Sequence, residues 1–358
     1  MFGGFSGASA PWRVVLTALM VSLALTGCDV PGLELPQPST TARPTPAPTP
    51  SPRPPSEPGP GSEVEGEGRV AVYMGWRNTT GVNAFANWLG RPVWAHEFLD
   101  HRQGWEAVAN PRAQLPTWGQ WAAKDDDRRL VLSVPLLIDA SAGDFAGGAN
   151  GAYDQHFRRL ARSLVANGLD DTVIRLGWEF NGSTFPWAVD RSQVAHYKRF
   201  WRRVVTAMRG VDGADFLFDW CPNITLDATG LPFAALYPGD DSVDVIGLGF
   251  YDYYWGHPSA SPQARWQWLR DVDNGLADHR DFARAHGKPT SFPEYGLWER
   301  GTSVGGGGDN PYFVRQLAAW IADTDVAYHG YNNVRATAEH RLTSYPRAQQ
   351  AFLEAFGR

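Results

Sequence analysis

From Arg69 onward, short apolar runs alternate with longer segments whose apolar residues recur every third or fourth position. Eight runs read as strands: Val70–Gly75, Pro92–Phe98, Arg129–Val134, Val173–Trp178, Asp215–Trp220, Val243–Phe250, Pro289–Pro293 and Val326–Tyr331. They are continuous rather than alternating, the pattern of strands covered on both faces. Between them a 3.6-residue period predicts helices over Ala152–Asn167, Arg191–Met208, Pro262–His286, Pro311–Ala322 and Tyr345–Phe356. In the first of these, Phe157, Leu160, Ala161 and Leu164 share one face, Arg158, Arg159 and Arg162 take the other, and Asn167-Gly168 supplies a stop.

Eight β-α units over residues 69–358 predict an α/β fold, a single (β/α)8 TIM barrel, for which ~250 residues is typical. A doubly wound open sheet would place a glycine-rich phosphate loop after its first strand; here that strand leads into Gly75-Trp76-Arg77-Asn78. The Gly305–Gly308 run lacks strand-to-helix context and reads as a flexible insertion after the seventh strand.

The N-terminal part has another pattern. Arg13 followed by the apolar run Val14–Leu25 reads as an export signal, too short for a comfortable membrane span of ~20 apolar residues. It ends Leu25-Thr26-Gly27-Cys28, which resembles a bacterial lipobox, so residues 1–27 are expected to be cleaved and Cys28 to carry lipid. This implies an exported protein, lipid-anchored to the bacterial cell membrane and facing outside. In residues 28–68 prolines recur almost every second position from Pro44 to Pro54, followed by Glu63, Glu65 and Glu67. Such a segment favours extended polyproline II and builds no core; at ~3.1 Å per residue it would act as a stalk up to ~100 Å long.

Composition narrows the partners. The net charge of -6 argues against nucleic acid, whose phosphates need a basic surface. Cys221 is the only other cysteine; with Cys28 lipidated no intramolecular disulfide forms, and Cys221 reads as a small buried hydrophobe at a strand end. Aromatic residues make up 13% of the chain, with 16 tryptophans, and aromatic rings stack on the apolar faces of sugars. Trp88, Trp201 and Trp320 lie on helix faces and suit the core; Trp76, Trp187, Trp255 and Trp298 fall in loops after strands, where core packing and substrate contact are both open.

Two segments carry chemistry. Ile174-Arg175-Leu176-Gly177-Trp178-Glu179-Phe180-Asn181-Gly182 and Ser291-Phe292-Pro293-Glu294-Tyr295-Gly296 each bring a glutamate to the end of an apolar strand, beside aromatics. Barrel active sites lie at the C-terminal strand ends. Glu179 follows the fourth strand and Glu294 ends the seventh, nearly across the barrel, so their carboxylates can approach within the ~5–5.5 Å of retaining glycosidases. That chemistry needs one carboxyl protonated and one ionised, separated by environment. Trp178 and Phe180 supply an apolar setting for Glu179, while Arg175 can reach Glu294 and keep it charged, as can hydrogen bonds from Tyr295 or a tyrosine at the sixth strand's end. A structural ion pair is the plain alternative.

The run from Arg175 to Gly182, followed by Phe185-Pro186-Trp187, resembles the acid/base segment of glycoside hydrolase family 26, best known for β-mannanases. Phe292-Pro293-Glu294-Tyr295-Gly296 resembles its nucleophile segment, and Val245-Ile246-Gly247-Leu248-Gly249-Phe250-Tyr251-Asp252 its sixth strand, which ends in an active-site tyrosine. The resemblance implies Glu179 as acid/base, Glu294 as nucleophile, Arg175 and Tyr251 in support with Tyr253 as the alternative tyrosine, and Trp187 as a sugar platform. The residue before the acid/base is commonly histidine in the family and is Trp178 here, which leaves the sugar open.

Trp178, Asn181, His96, Tyr253, Trp76 and Trp298 complete the expected substrate contacts, and Asp219 and Asn223 are further candidates for sugar hydroxyls. His96-Glu97 is not followed by the H-E-x-x-H spacing of a zinc helix, so neither metal nor cofactor is expected. The resulting expectation is a monomeric retaining hydrolase of a β-linked poly- or oligosaccharide, endo-β-1,4-mannanase-like. A β-1,3/1,4-glucanase, a xylanase, an envelope-glycan hydrolase and a non-catalytic glycan-binding lipoprotein are the alternatives.

Overall fold

A computed structural model describes residues 68–224, 227–301 and 305–358. The export signal, Cys28 and the proline-rich segment lie outside the described residues. Among the described residues no helix is long and apolar enough to cross a membrane.

Nine strands form one all-parallel sheet: β1 (Arg69–Tyr73), β2 (Trp94–Phe98), β3 (Leu130–Val134), β4 (Val173–Leu176), β5 (Leu217–Trp220), β6 (Val245–Gly247), β7 (Phe250–Asp252), β8 (Thr290–Leu297) and β9 (Val326–Asn332). β6 and β7 are successive pieces of one barrel position, both pairing with β8, and the β6–β8 and β1–β9 pairings close an eight-position barrel. The expected fold is the observed one.

Residues alternate between two cores, as side chains in a strand must. One set, including Val70, Val72, Leu130, Leu132, Ile174, Leu176, Phe218 and Phe292, packs outward against helices. The other, Ala71, Trp94, Val131, Val173, Val245, Ala327 and Tyr328 with Leu217, fills the barrel. Two residues further along these strands the composition changes to Tyr73, His96, Ser133, Arg175, Asp219 and Gly247. An apolar layer thus supports a polar one, directly under the C-terminal strand ends.

Helices follow the periodic segments. Asp154–Ala166 buries Phe157, Leu160, Ala161 and Leu164, and Pro311–Ala322 begins at a proline whose missing N–H costs nothing in a first turn. Three expectations are corrected. The single helix over Pro262–His286 is two, Pro262–Asp271 and Leu276–Ala285, broken where Asn274 adopts φ 58° ahead of Gly275. The sixth strand is interrupted at Leu248-Gly249, because Gly249 pairs aside with the segment after β5: its N–H donates to Pro222 and its carbonyl accepts from Ile224. The Gly305–Gly308 run is pinned rather than loose: Arg265 donates to the Gly305 carbonyl at 2.7 Å and Arg300 to that of Gly307 at 2.9 Å.

Candidate active site

β8 continues past Pro293, so Glu294 lies within the strand rather than at its end. Its pairing with β9 shifts register between Phe292 and Tyr295, where Pro293 supplies no N–H. Gly330 on β9 accommodates this, since a Cβ there would stand 2.3 Å from the Pro293 carbonyl oxygen. Such irregularities re-aim side chains, and Glu294 here points into the cleft with its side chain 12% exposed.

Two strands hold that carboxylate, and a third braces one of its donors. Arg175 of β4, fully buried, donates from Nη1 to Glu294 Oε2 at 2.7 Å. Tyr251 of β7 donates from Oη to Oε1 at 2.6 Å, and itself accepts from Asn332 Nδ2 of β9 at 2.6 Å. Burial, then the charge of Glu294, pushes the Tyr251 phenol well above its ordinary range, so it stays a donor. Arg175 Nη1 also donates to Ser133 Oγ at 3.2 Å, which lies 2.8 Å from His96 Nε2.

Glu179 is held differently. The chain leaves β4 through Gly177 at φ 54° and reaches Glu179 at φ 53°, a left-handed conformation uncommon for a residue with a side chain. Its N–H donates to the Cys221 carbonyl at 2.9 Å, fixing the turn against the end of β5. The carboxylate accepts one amide proton, from Asn223 Nδ2 at 2.5 Å. Asn223 is in turn fixed by Asn181, whose Nδ2 donates to its carbonyl and whose Oδ1 accepts from its N–H, both at 2.8 Å. Burial first, and the negative Glu294 second, push the Glu179 carboxyl up to about 7, against the opposing pull of Arg175 and Asn223. The two glutamates therefore feel each other across one cleft.

Other expected contacts separate into two groups. Trp187 is fully buried, stacked on Phe185 with ring centroids 4.7 Å apart, and its Nε1 donates to the Trp178 carbonyl at 2.7 Å. It braces the turn that carries Glu179 and offers no face to a sugar, which corrects the platform expectation. Trp178 is 4% exposed, wedged between Phe98 and Trp187. His96 and Asn181 are buried in the network just described and Asp219 lies fully buried beneath it, so none of the three lines the cleft surface. Tyr253 is buried edge-on to Trp298, and Tyr251, not Tyr253, bonds Glu294. Tyr295 bonds His329 Nδ1 instead of a carboxylate. Trp298 stands 5.4 Å from the Tyr251 ring. Trp76 and Trp255 alone among the large apolar side chains described are widely exposed, 60% and 59%.

The sequence marks Asn223, Asn332 and His96-Glu97 as polar residues near strand ends, but not that Asn223 bonds Glu179, that Asn332 stands behind Tyr251, or what Glu97 holds. Glu97 is buried and accepts from the N–H of Arg77 at 2.7 Å and from Trp118 Nε1 at 3.0 Å. It thereby pins Arg77 at φ 53°, next to exposed Trp76. The Asp219–Asn223 run, polar at both ends of a strand terminus, was the available signal for Asn223. Cys221 is buried and burial raises its thiol, so it holds no nucleophilic thiolate. Among the described residues no group of His, Cys, Asp or Glu is arranged to hold a metal ion.

A closed parallel barrel with two partly desolvated glutamates, one ion-paired and one raised in pKa, has the layout required of a barrel glycosidase. Residues 148–277, a segment that contains Glu179 and Asn223, match the model of Glycosyl hydrolase family 26. A mannan endo-1,4-beta-mannosidase of Bifidobacterium adolescentis is 29% identical over 204 residues, which are 56% of this chain but 20% of that protein, so the chain spans about a fifth of this relative's length. Among solved structures, a family 26 β-mannanase from Bacteroides ovatus superposes with a TM-score of 0.57 at 18% identity, covering 82% of this chain and 88% of that one. A modular endo-β-1,4-mannanase from Cellulomonas fimi gives 0.58 at 19%, covering 82% and 75%. Both share the fold.

Proposed function

We propose that the barrel is a retaining glycoside hydrolase that cleaves within a β-1,4-linked, mannan-type polysaccharide. The observation that carries this reading is the inequality of the two glutamates. Glu294 is paired with Arg175 and Tyr251 and suits attack on the anomeric carbon; Glu179, near neutral pKa, suits delivery and removal of a proton.

In the first step Glu294 bonds the anomeric carbon as the glycosidic bond breaks and the Glu179 proton passes to the leaving oxygen. Glu179, now ionised, then takes a proton from water, whose oxygen displaces Glu294 and returns the original configuration. Neither step calls for a cofactor. The B. adolescentis relative supports mannan as the first substrate to test.

The test is release of reducing ends by residues 69–358 from mannan, β-glucan and xylan, with Glu294→Ala and Glu179→Ala in parallel. Each variant should lose on the order of 10²–10⁴-fold or more, and azide should restore Glu294→Ala with an α-glycosyl azide product. Undiminished hydrolysis by either variant would sink the mechanism. Cleavage of glucan or xylan instead of mannan would move the substrate and keep it. Polysaccharide binding without new reducing ends would favour a binding lipoprotein.

We further propose that the chain acts as a monomer outside the cell, held to the membrane by lipid on Cys28. The Leu25-Thr26-Gly27-Cys28 run supports the lipid anchor, and loss of radiolabelled palmitate on Cys28→Ala is the expected result; unchanged labelling would refute the anchor.

A further inference from the structure

One layer below the cleft, Asp219 of β5 is fully buried and stands in register with Arg175 of β4. Its Oδ2 accepts from two hydroxyls, Ser291 Oγ of β8 and Tyr328 Oη of β9, each at 2.5 Å. Burial pushes the Asp219 carboxyl up to about 6, while the two hydroxyls and the charge of Arg175 pull the other way, so the group is ionised at neutral pH. Gly247 of β6 makes the room: a Cβ there would fall 2.2 Å from Asp219 Oδ1.

A buried anion needs a cation, and Arg175 is the cation that faces this one. Arg175 Nη1 is committed to Glu294 and Ser133, whereas Nε and Nη2, like Asp219 Oδ1, have no hydrogen-bond partner in the structure. The titratable groups around the guanidinium are Glu294 of β8, Glu179 after β4, Cys221 after β5, His96 of β2 and Tyr328 of β9. Burial holds His96 neutral and leaves Cys221 and Tyr328 protonated. The charges that share Arg175 are therefore the two cleft glutamates above and Asp219 below.

We propose that Asp219 is a positioning residue, a sealed anion that shares the Arg175 guanidinium with Glu294 and sets how much of its positive charge the cleft receives. The inference rests on the reading of Glu179 and Glu294 as the reacting pair. It explains why a carboxylate lies inside a barrel layer that nothing else requires to be charged. It also gives Ser291 and Tyr328, distant from any substrate, a part in the reaction.

The experiment is the pH dependence of kcat/KM on the hydrolysed polysaccharide for the parent, Asp219→Asn and Ser291→Ala. Inactivity of the parent on every glycan would remove the hydrolase reading itself, separately from this one. With an active parent, Asp219→Asn removes a negative charge, Arg175 is less neutralised, and the proton on Glu179 is held less tightly. The alkaline limb should then move down by roughly 0.5–1 pH unit. Ser291→Ala removes a hydrogen bond that favours the ionised carboxylate, so Asp219 takes up its proton at higher pH and the limb should move the same way by less; it carries the test if Asp219→Asn does not fold. A fall in rate with the limb in place would reduce Asp219 to a structural role and overturn the proposal, as would a limb moved upward.

Discussion

Glu294 and Glu179 share a cleft but are built by opposite means. Glu294 sits in a strand, in a register irregularity, and receives a guanidinium and a phenol from two other strands. Glu179 sits on a left-handed turn and receives one amide. The first site supplies compensation for a charge, the second withholds it. Two residues of one chemical type are thus divided into roles by what the barrel places beside them rather than by distance from solvent alone, since both are mostly buried.

The comparison can be broken most severely at Arg175. Arg175→Ala leaves buried carboxylates on both sides without their cation, and urea unfolding should report a loss of ~3–5 kcal/mol. A loss below 1 kcal/mol would mean that the polar layer does not depend on this charge. Next in size, Tyr251→Phe removes one charged hydrogen bond from Glu294 while keeping the ring; kcat should fall ~10–100-fold with little change in melting temperature. An unchanged kcat would make the phenol a packing group.

The smallest effect sharpens the other side. Asn223 Nδ2 donates to the ionised form of Glu179, so Asn223→Ala should raise the Glu179 pKa above about 7. The alkaline limb of kcat/KM would then move to higher pH by ~0.5–1 unit. This is opposite in sign to the shift expected of Asp219→Asn, so the pair of variants separates support from above and from below. Movement of both limbs in the same direction would refute the division.

Much of this architecture was legible in the chain. Uninterrupted apolar runs betray strands covered on both faces, and Phe157, Leu160, Ala161 and Leu164 mark a helix by period alone. That Arg175 reaches Glu294 followed from their places on facing strands. Trp187 was not legible, because a ring that packs a core and a ring that receives a sugar have the same composition and the same loop position. The break at Gly249 was hidden too, since it depends on backbone partners at Pro222 and Ile224, supplied by the segment after β5. The Asn274-Gly275 helix break, by contrast, stood in the sequence as an ordinary stop signal.

The interrupted sixth position makes the barrel uneven in mechanical terms. β6 joins β5 through two residue pairs and β8 through two, whereas β1, joined to β2 by two, is joined to β9 by five. β6 is thinly joined on both sides and β1 on one side only, so amide protons of Val245–Gly247 should exchange with solvent ahead of those of β1. Asn223 and Tyr251 flank that joint, one serving each glutamate. Heat would therefore silence the cleft while most of the cylinder is still intact, and the working lifetime of the protein would be set by a three-residue strand rather than by its large apolar core.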